Sequence, residues 1–147
     1  MLFPSEFITH SAAETGEIGR KLAAALREDS TLPRFVALYG DLGAGKTAFV
    51  SGFVAELSPA ARVRSPTFTF VNEYPAAPAP VFHFDMYRIA DEDELYSTGF
   101  YDYPSRNGFI LTEWSENIPY ALPKHYIEVK ILRGGTSDER LIEIRLI

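Results

Sequence analysis

The stretch Phe35-Val36-Ala37-Leu38-Tyr39-Gly40-Asp41-Leu42-Gly43-Ala44-Gly45-Lys46-Thr47 decides the fold. Its first five residues are apolar without alternation. That pattern predicts a strand buried on both faces, as in a parallel sheet. The next eight, Gly40 to Thr47, match G-x-x-x-x-G-K-[ST] at every position. Behind them Phe49, Val50, Phe53, Val54 and Leu57 fall at helical spacing, and Ser58-Pro59 ends the helix. Strand, glycine-rich turn and helix are the context a phosphate-binding P-loop needs. Glycines let backbone N–H groups wrap a phosphate with no Cβ in the way, and the helix aims its positive end at the same anion. Asp41, Leu42, Gly43, Ala44, Gly45, Lys46 and Thr47 are therefore the expected phosphate-binding residues. Lys46 should reach the β- and γ-phosphates, and the Thr47 hydroxyl should bind Mg²⁺.

Outward from this stretch, Ser11-Ala12-Ala13-Glu14 fits a capping box. Ile18, Leu22, Ala25 and Leu26 extend it into a helix to about Glu28, stopping before Pro33. Phe68-Thr69-Phe70-Val71 and Val81-Phe82-His83-Phe84-Asp85 are strand candidates. Asp91 to Ser97 reads as a short acidic helix with Gly99 as its stop. Phe109 to Glu113 is a second buried strand. Tyr126 to Leu132 and Arg140 to Ile147 alternate apolar with polar around Gly134-Gly135, an antiparallel hairpin. Three prolines in Pro75–Pro80 exclude a helix or central strand there and mark a surface connection. The expected fold is α/β: a single P-loop domain over residues 1–147, with a mixed, mostly parallel sheet flanked by helices and a C-terminal antiparallel hairpin.

Composition bounds the function. The chain has 147 residues, 46% of them hydrophobic and 23% charged, as expected for one globular domain. It has no cysteine, which excludes a disulfide scaffold, a thiolate zinc site and a cysteine nucleophile. No apolar run approaches the roughly 20 residues that span a bilayer. The first residues carry acids where a signal peptide wants a basic stretch. A cytoplasmic protein with no membrane partner is expected. The net charge of −6 argues against a broad nucleic-acid-binding face of its own.

A P-loop needs a carboxylate at the end of a neighbouring strand for Mg²⁺ or its water. Asp85 and Glu113 each end a predicted strand, and either fits. Ser65-Pro66-Thr67-Phe68-Thr69 follows the P-loop helix, and Thr67 or Thr69 is placed to report a γ-phosphate. His10, His83 and His125 are too far apart in sequence to form a ligand-spaced pair, and His83 reads as packed on its strand. Trp114, the lone tryptophan, follows Glu113 and reads as core, nucleotide contact or partner contact.

These blocks together carry a resemblance. GDLGAGKT at 40–47, SPTFTFVNEY at 65–74, HFDMYRIAD at 83–91 and EWSENIP at 113–119 resemble, in order and spacing, the TsaE (YjeE) family. These are small bacterial P-loop ATPases needed to make threonylcarbamoyladenosine, the modified adenosine beside the anticodon. Thr15 and Gly19 in the first helix and Arg140 in the hairpin are also similar, so the resemblance spans nearly the whole chain. It implies that Thr47 and Glu113 ligate Mg²⁺, that Asp85 supports the metal water or the catalytic site, and that Thr67 acts in a switch-like segment. It places Trp114 beside the metal carboxylate. On this resemblance Lys46, Asp85 and Glu113 are the catalytic set, Thr67 and Trp114 join the P-loop in holding ATP, and ATP and Mg²⁺ are the cofactors. The implied partners are TsaB-like and TsaD-like proteins, with tRNA reached through that complex. TsaD transfers the group, and the TsaE-like protein uses ATP to let the cycle turn over. One departure is visible: Ser115 stands where the family usually has proline, which predicts a changed loop stiffness after Trp114.

The alternative is a small-molecule P-loop kinase. It needs an acceptor pocket, a base and usually an arginine-bearing lid. Arg62, Arg64, Arg88 and Arg106 are scattered, and a chain of this length leaves little room for a lid. The guanine-reading N-K-x-D of regulatory GTPases is absent. No glutamine is placed to orient water. Arg88 is a candidate finger, with an ion pair to Asp91 or Asp93 as its other reading. Very slow hydrolysis by the isolated protein is expected, with partners completing the site.

Overall fold

The computed structural model describes residues 1–41, 43–67 and 69–147. Leu42 and Phe68, both singled out from the sequence, lie outside the described residues. In chain order the elements are β1 (Ser5–Thr9), α1 (Ala12–Glu28), β2 (Phe35–Tyr39), α2 (Lys46–Leu57), β3 (Val71–Tyr74), β4 (Val81–Asp85), α3 (Glu92–Ser97), β5 (Phe109–Glu113), β6 (Ile127–Arg133) and β7 (Arg140–Leu146). Short 3-10 turns fill the gaps around β5. Ser11 caps α1, its Oγ accepting from the Glu14 N–H at 3.1 Å. Glu14 reaches back to the His10 N–H at 3.3 Å, so the box closes one residue early. Asp91 caps α3 in the same way, accepting from the Glu94 N–H at 2.8 Å.

All seven strands form one sheet in the order β1-β7-β6-β2-β5-β4-β3. β2 sits at its centre, parallel to both β5 and β6, and β4 is parallel to β5. β3 and β7 run against the rest. The sheet is thus mixed and mostly parallel, with β6 and β7 as the C-terminal hairpin.

Strand periodicity sorts the core into two layers. Val36, Leu38, Val81, Phe109, Leu111, Val129 and Ile131 face α1 and α2, where Leu22, Leu26, Phe49 and Phe53 meet them. Phe35, Ala37, Phe82, Phe84 and Ile110 face the other way, onto Leu95, Phe100 and Ile118. Each fully buried side chain of this size contributes about 1.5–3 kcal/mol, so both layers are needed to offset chain entropy. By the same alternation His83, Asp85 and Glu113 sit at the α2 face, the last two at the strand ends. α1 and α2 cross through glycine. A Cβ on Gly52 would overlap the Gly16 carbonyl, and one on Gly19 would overlap the Phe49 carbonyl.

Two sequence expectations are corrected. Residues 69–71 do not extend a strand back from Val71: Phe70 takes a left-handed backbone, φ 67°, and its N–H donates to the Pro66 carbonyl at 2.7 Å. That turn ends strand geometry, so β3 starts at Val71. The sequence also gave no warning of β1, an edge strand whose Ile8 points outward at 63% exposure. Among the described residues no helix is long and apolar enough to cross a membrane.

Candidate functional site

The P-loop leaves the end of β2 and enters α2. Gly45 caps α2 with φ 110°, a conformation that L side chains avoid. Gly40 and Gly43 also have positive φ. A remote element holds the loop. Arg140, at the start of β7, donates from Nε to the Ala44 carbonyl at 2.8 Å and from Nη2 towards the Gly43 carbonyl at 3.5 Å. Its Nη1 is anchored on the Ser137 and Glu139 carbonyls at 2.7 and 2.8 Å. Thr15 of α1, whose methyl would lie 3.8 Å from a Cβ on Gly45, shares a buried 2.7 Å hydrogen bond with Thr9 of β1. A planar five-donor fork suits the task of tying several carbonyls at once.

Lys46 is 5% exposed. Its Nζ donates to the Gly40 carbonyl at 2.6 Å and lies 3.8 Å from the centre of the Trp114 ring. Burial pulls its pKa below the ordinary lysine value, against the carboxylates of Glu113, Glu116, Asp85 and Asp41, which act upward. The ammonium is thus parked on a carbonyl and an aromatic face, both weaker partners than a phosphate. Thr47 is exposed one residue on.

The two strand-end carboxylates are neighbours, since Asp85 and Glu113 are register partners in the β4–β5 pair. Asp85 accepts from Thr67 Oγ1 at 2.9 Å and from the Tyr87 N–H at 2.8 Å. Thr67 in turn shares a 2.7 Å hydrogen bond with Ser65. Glu113 is buried and hydrogen-bonded through Oε2 to His83 Nε2. The other imidazole nitrogen, Nδ1, is buried without a partner among the described residues, so the pairing spends the donor on Glu113. Together Gly43, Gly45, Lys46, Thr47, Ser65, Thr67, Asp85, Glu113 and Trp114 line one cleft of about 230 Å³. Asp41 and Ala44 line a neighbouring hollow instead, Arg88 lines another with Thr67 and Asp85, and Thr69 is off the cleft, its Oγ1 donating to Asn72 Oδ1 at 3.0 Å.

Among the described residues no group of three or more His, Asp or Glu comes together that would hold a metal unaided. Mg²⁺ takes one or two carboxylates and fills its shell with phosphate oxygens and water. Thr47 and Glu113, on one cleft, are the residues that would hold such an ion. The glycine cradle and the parked ammonium fit a polyphosphate.

The family model described as "Threonylcarbamoyl adenosine biosynthesis protein TsaE" matches residues 9–142. The chain belongs to the TsaE family. It is 39% identical over 134 residues to the tRNA threonylcarbamoyladenosine biosynthesis protein TsaE of Bacillus subtilis, covering 91% of this chain and 80% of that one. It is 41% identical over 127 residues to the protein of the same name from Haemophilus influenzae, covering 86% and 79%. The crystal structure of Bacillus subtilis YdiB superposes with a TM-score of 0.77 at 32% identity, covering 98% of this chain and 86% of that one.

Within this TsaE-family fold three features went unread in the sequence. The grip of Arg140 on the P-loop joins residues 96 positions apart. His83, expected only to pack on its strand, pairs with Glu113. Its place two residues before Asp85, on the same strand face, was the available signal. Ser115 does more than free the backbone: it is buried, and its Oγ donates to the Thr112 carbonyl at 2.8 Å, retying the turn to the end of β5. Trp114 holds a left-handed backbone, φ 57°, and its ring packs on Lys46 and on Tyr87 at 5.1 Å.

Proposed function

We propose that this protein is the ATP-binding, slowly hydrolysing component of tRNA threonylcarbamoyladenosine synthesis, working in the cytoplasm. It would drive turnover of a TsaB-like and TsaD-like pair rather than transfer the group itself. The observation that carries this reading is the cleft that joins Lys46 and Thr47 to the register-paired carboxylates Asp85 and Glu113. The N–H groups of the P-loop bind the phosphates, and Lys46 exchanges the Gly40 carbonyl for a phosphate oxygen. Thr47 and Glu113 would hold Mg²⁺, which would supply charge neutralisation on the phosphates. Asp85 holds a water or the metal's water and keeps Thr67 against the cleft. The Trp114 ring covers the Lys46 ammonium.

Nothing in the cleft orients an attacking water by a glutamine, so hydrolysis by the protein alone should be very slow. The test is ATP hydrolysis measured alone, then with the TsaB-like and TsaD-like proteins of the same genome and with tRNA. A slow basal rate that rises with the pair is expected. A rate indifferent to the pair would overturn this reading in favour of a kinase, and phosphoryl acceptors would then be screened.

A further inference from the structure

The negative charge of the molecule is not spread evenly. Residues 91–102 hold five carboxylates, Asp91, Glu92, Asp93, Glu94 and Asp102, and no lysine or arginine. Without these five, the fifteen acids elsewhere nearly match the fourteen bases, so almost the whole net charge of −6 comes from one short segment. The structure puts that segment on α3 and the 3-10 turn Phe100–Asp102, packed over the sheet face opposite α1 and α2 through Leu95 and Phe100. All five acids are exposed.

Tyrosines stand among them. Tyr96 is 74% exposed, and its ring lies 6.2 Å from that of Tyr101. The Tyr101 hydroxyl donates to Glu92 at 3.4 Å. Tyr120, on the 3-10 turn Pro119–Ala121, is exposed, and burial together with the carboxylates of Asp91, Glu92 and Glu94 raises its phenol pKa. A ring as exposed as that of Tyr96 contributes little to the fold. Tyrosine with a rim of charge is the composition of a protein-binding surface, where an amphipathic ring gives much contact at low entropic cost.

The edge is mechanically joined to the nucleotide cleft. The 3-10 turn Ser115–Asn117 runs directly from Trp114 towards Tyr120. Asn117 Nδ2 donates to the Met86 and Tyr87 carbonyls at 3.0 and 3.3 Å, lashing that turn to the segment after β4. Tyr87, 55% exposed, packs on Trp114, which covers Lys46.

We infer that the edge formed by α3, Tyr96, Tyr101 and Tyr120 docks a basic, lysine- or arginine-bearing protein surface, and that Tyr87 and the turn after Trp114 link the docked partner to the P-loop. Charge complementarity selects the occupant: five carboxylates repel the phosphates of RNA and attract guanidinium and ammonium groups. The inference rests on the partner-driven reading above and says which face meets the partner.

The test uses full-length protein and the TsaB-like and TsaD-like pair of the same genome. One variant is Glu92→Gln/Asp93→Asn/Asp102→Asn, which spares the capping residues Asp91 and Glu94. A second is Tyr96→Ala/Tyr120→Ala. A control, Glu6→Gln/Glu17→Gln/Glu28→Gln, removes the same charge from β1 and α1. Binding is measured at roughly 50 and 300 mM salt, a range over which screening grows strongly. The carboxamide variant should bind the pair about tenfold more weakly at low salt and show a flatter salt dependence. The tyrosine variant should weaken binding by about tenfold at both salts. The control should match the wild type, and all three should bind a fluorescent ATP analogue as the wild type does. A wild type that binds the pair while both edge variants bind equally well would overturn the inference and leave the functional reading intact. Loss of tRNA binding instead, with the pair still held, would overturn it in favour of RNA. A wild type that does not bind the pair at either salt would overturn the functional reading, and this inference with it.

Discussion

At the scale of single residues, two side chains decide whether the cleft handles nucleotide. Lys46 already gives up solvent to lie on the Gly40 carbonyl and the Trp114 face. A hydrogen bond to a charged group contributes about 1.5–3 kcal/mol, so Lys46→Ala should lower ATP affinity or turnover at least roughly tenfold. Unchanged binding in a folded variant would mean that the P-loop does not hold phosphate. Glu113→Gln keeps the shape and an oxygen that accepts from His83 Nε2. Its melting temperature should therefore hardly move, while Mg²⁺ dependence weakens. Equal Mg²⁺ dependence in the two proteins would shift the metal role to Asp85, the register partner. The loop motif and both carboxylates were legible because each ends a run whose periodicity is plain. His83 and Arg140 were not. Their roles depend on strand register and on a contact across most of the chain, neither of which a local pattern encodes.

At the scale of elements, the P-loop helix stands where it does because α1 lies almost against its backbone. Gly52 meets the Gly16 carbonyl with no room for a Cβ. Gly52→Ala should cost about 1–3 kcal/mol through forced separation of the helices, read as a lower urea midpoint at unchanged slope. A variant as stable as the wild type would show that the helices part freely. Most elements could be read from sequence because their caps and apolar runs agree with their tertiary roles, as at Ser11, Asp91 and the β2 run. The strand expected at 68–71 failed where Phe70 turns left-handed, a backbone state that β-favouring residues do not announce. β1 escaped notice because an edge strand buries little and needs no apolar run.

At the scale of the molecule, a single sheet divides the labour. Its α1–α2 face carries the P-loop, and the opposite face carries the acidic segment and its tyrosines. A ligand that binds only the folded chain stabilises it by about 2.7 kcal/mol at a hundred times its Kd. MgATP at that excess should raise the melting temperature by roughly 5–10 °C for a domain of this size. Lys46→Ala should lose most of that rise, and an equal rise in both would place the nucleotide elsewhere.

The contact between the Lys46 ammonium and the Trp114 ring also makes the chain its own optical gauge. There is one tryptophan among its 147 residues, so its emission comes from a single place. A cation 3.8 Å from that indole perturbs its excited state, and the perturbation ends when the ammonium turns to a phosphate. Titrating unlabelled ATP should therefore change the intensity and wavelength of the intrinsic fluorescence along a saturating curve, and Lys46→Met should flatten it. Occupancy of the cleft can then be followed in real time while partners are added, with no dye attached to protein or nucleotide.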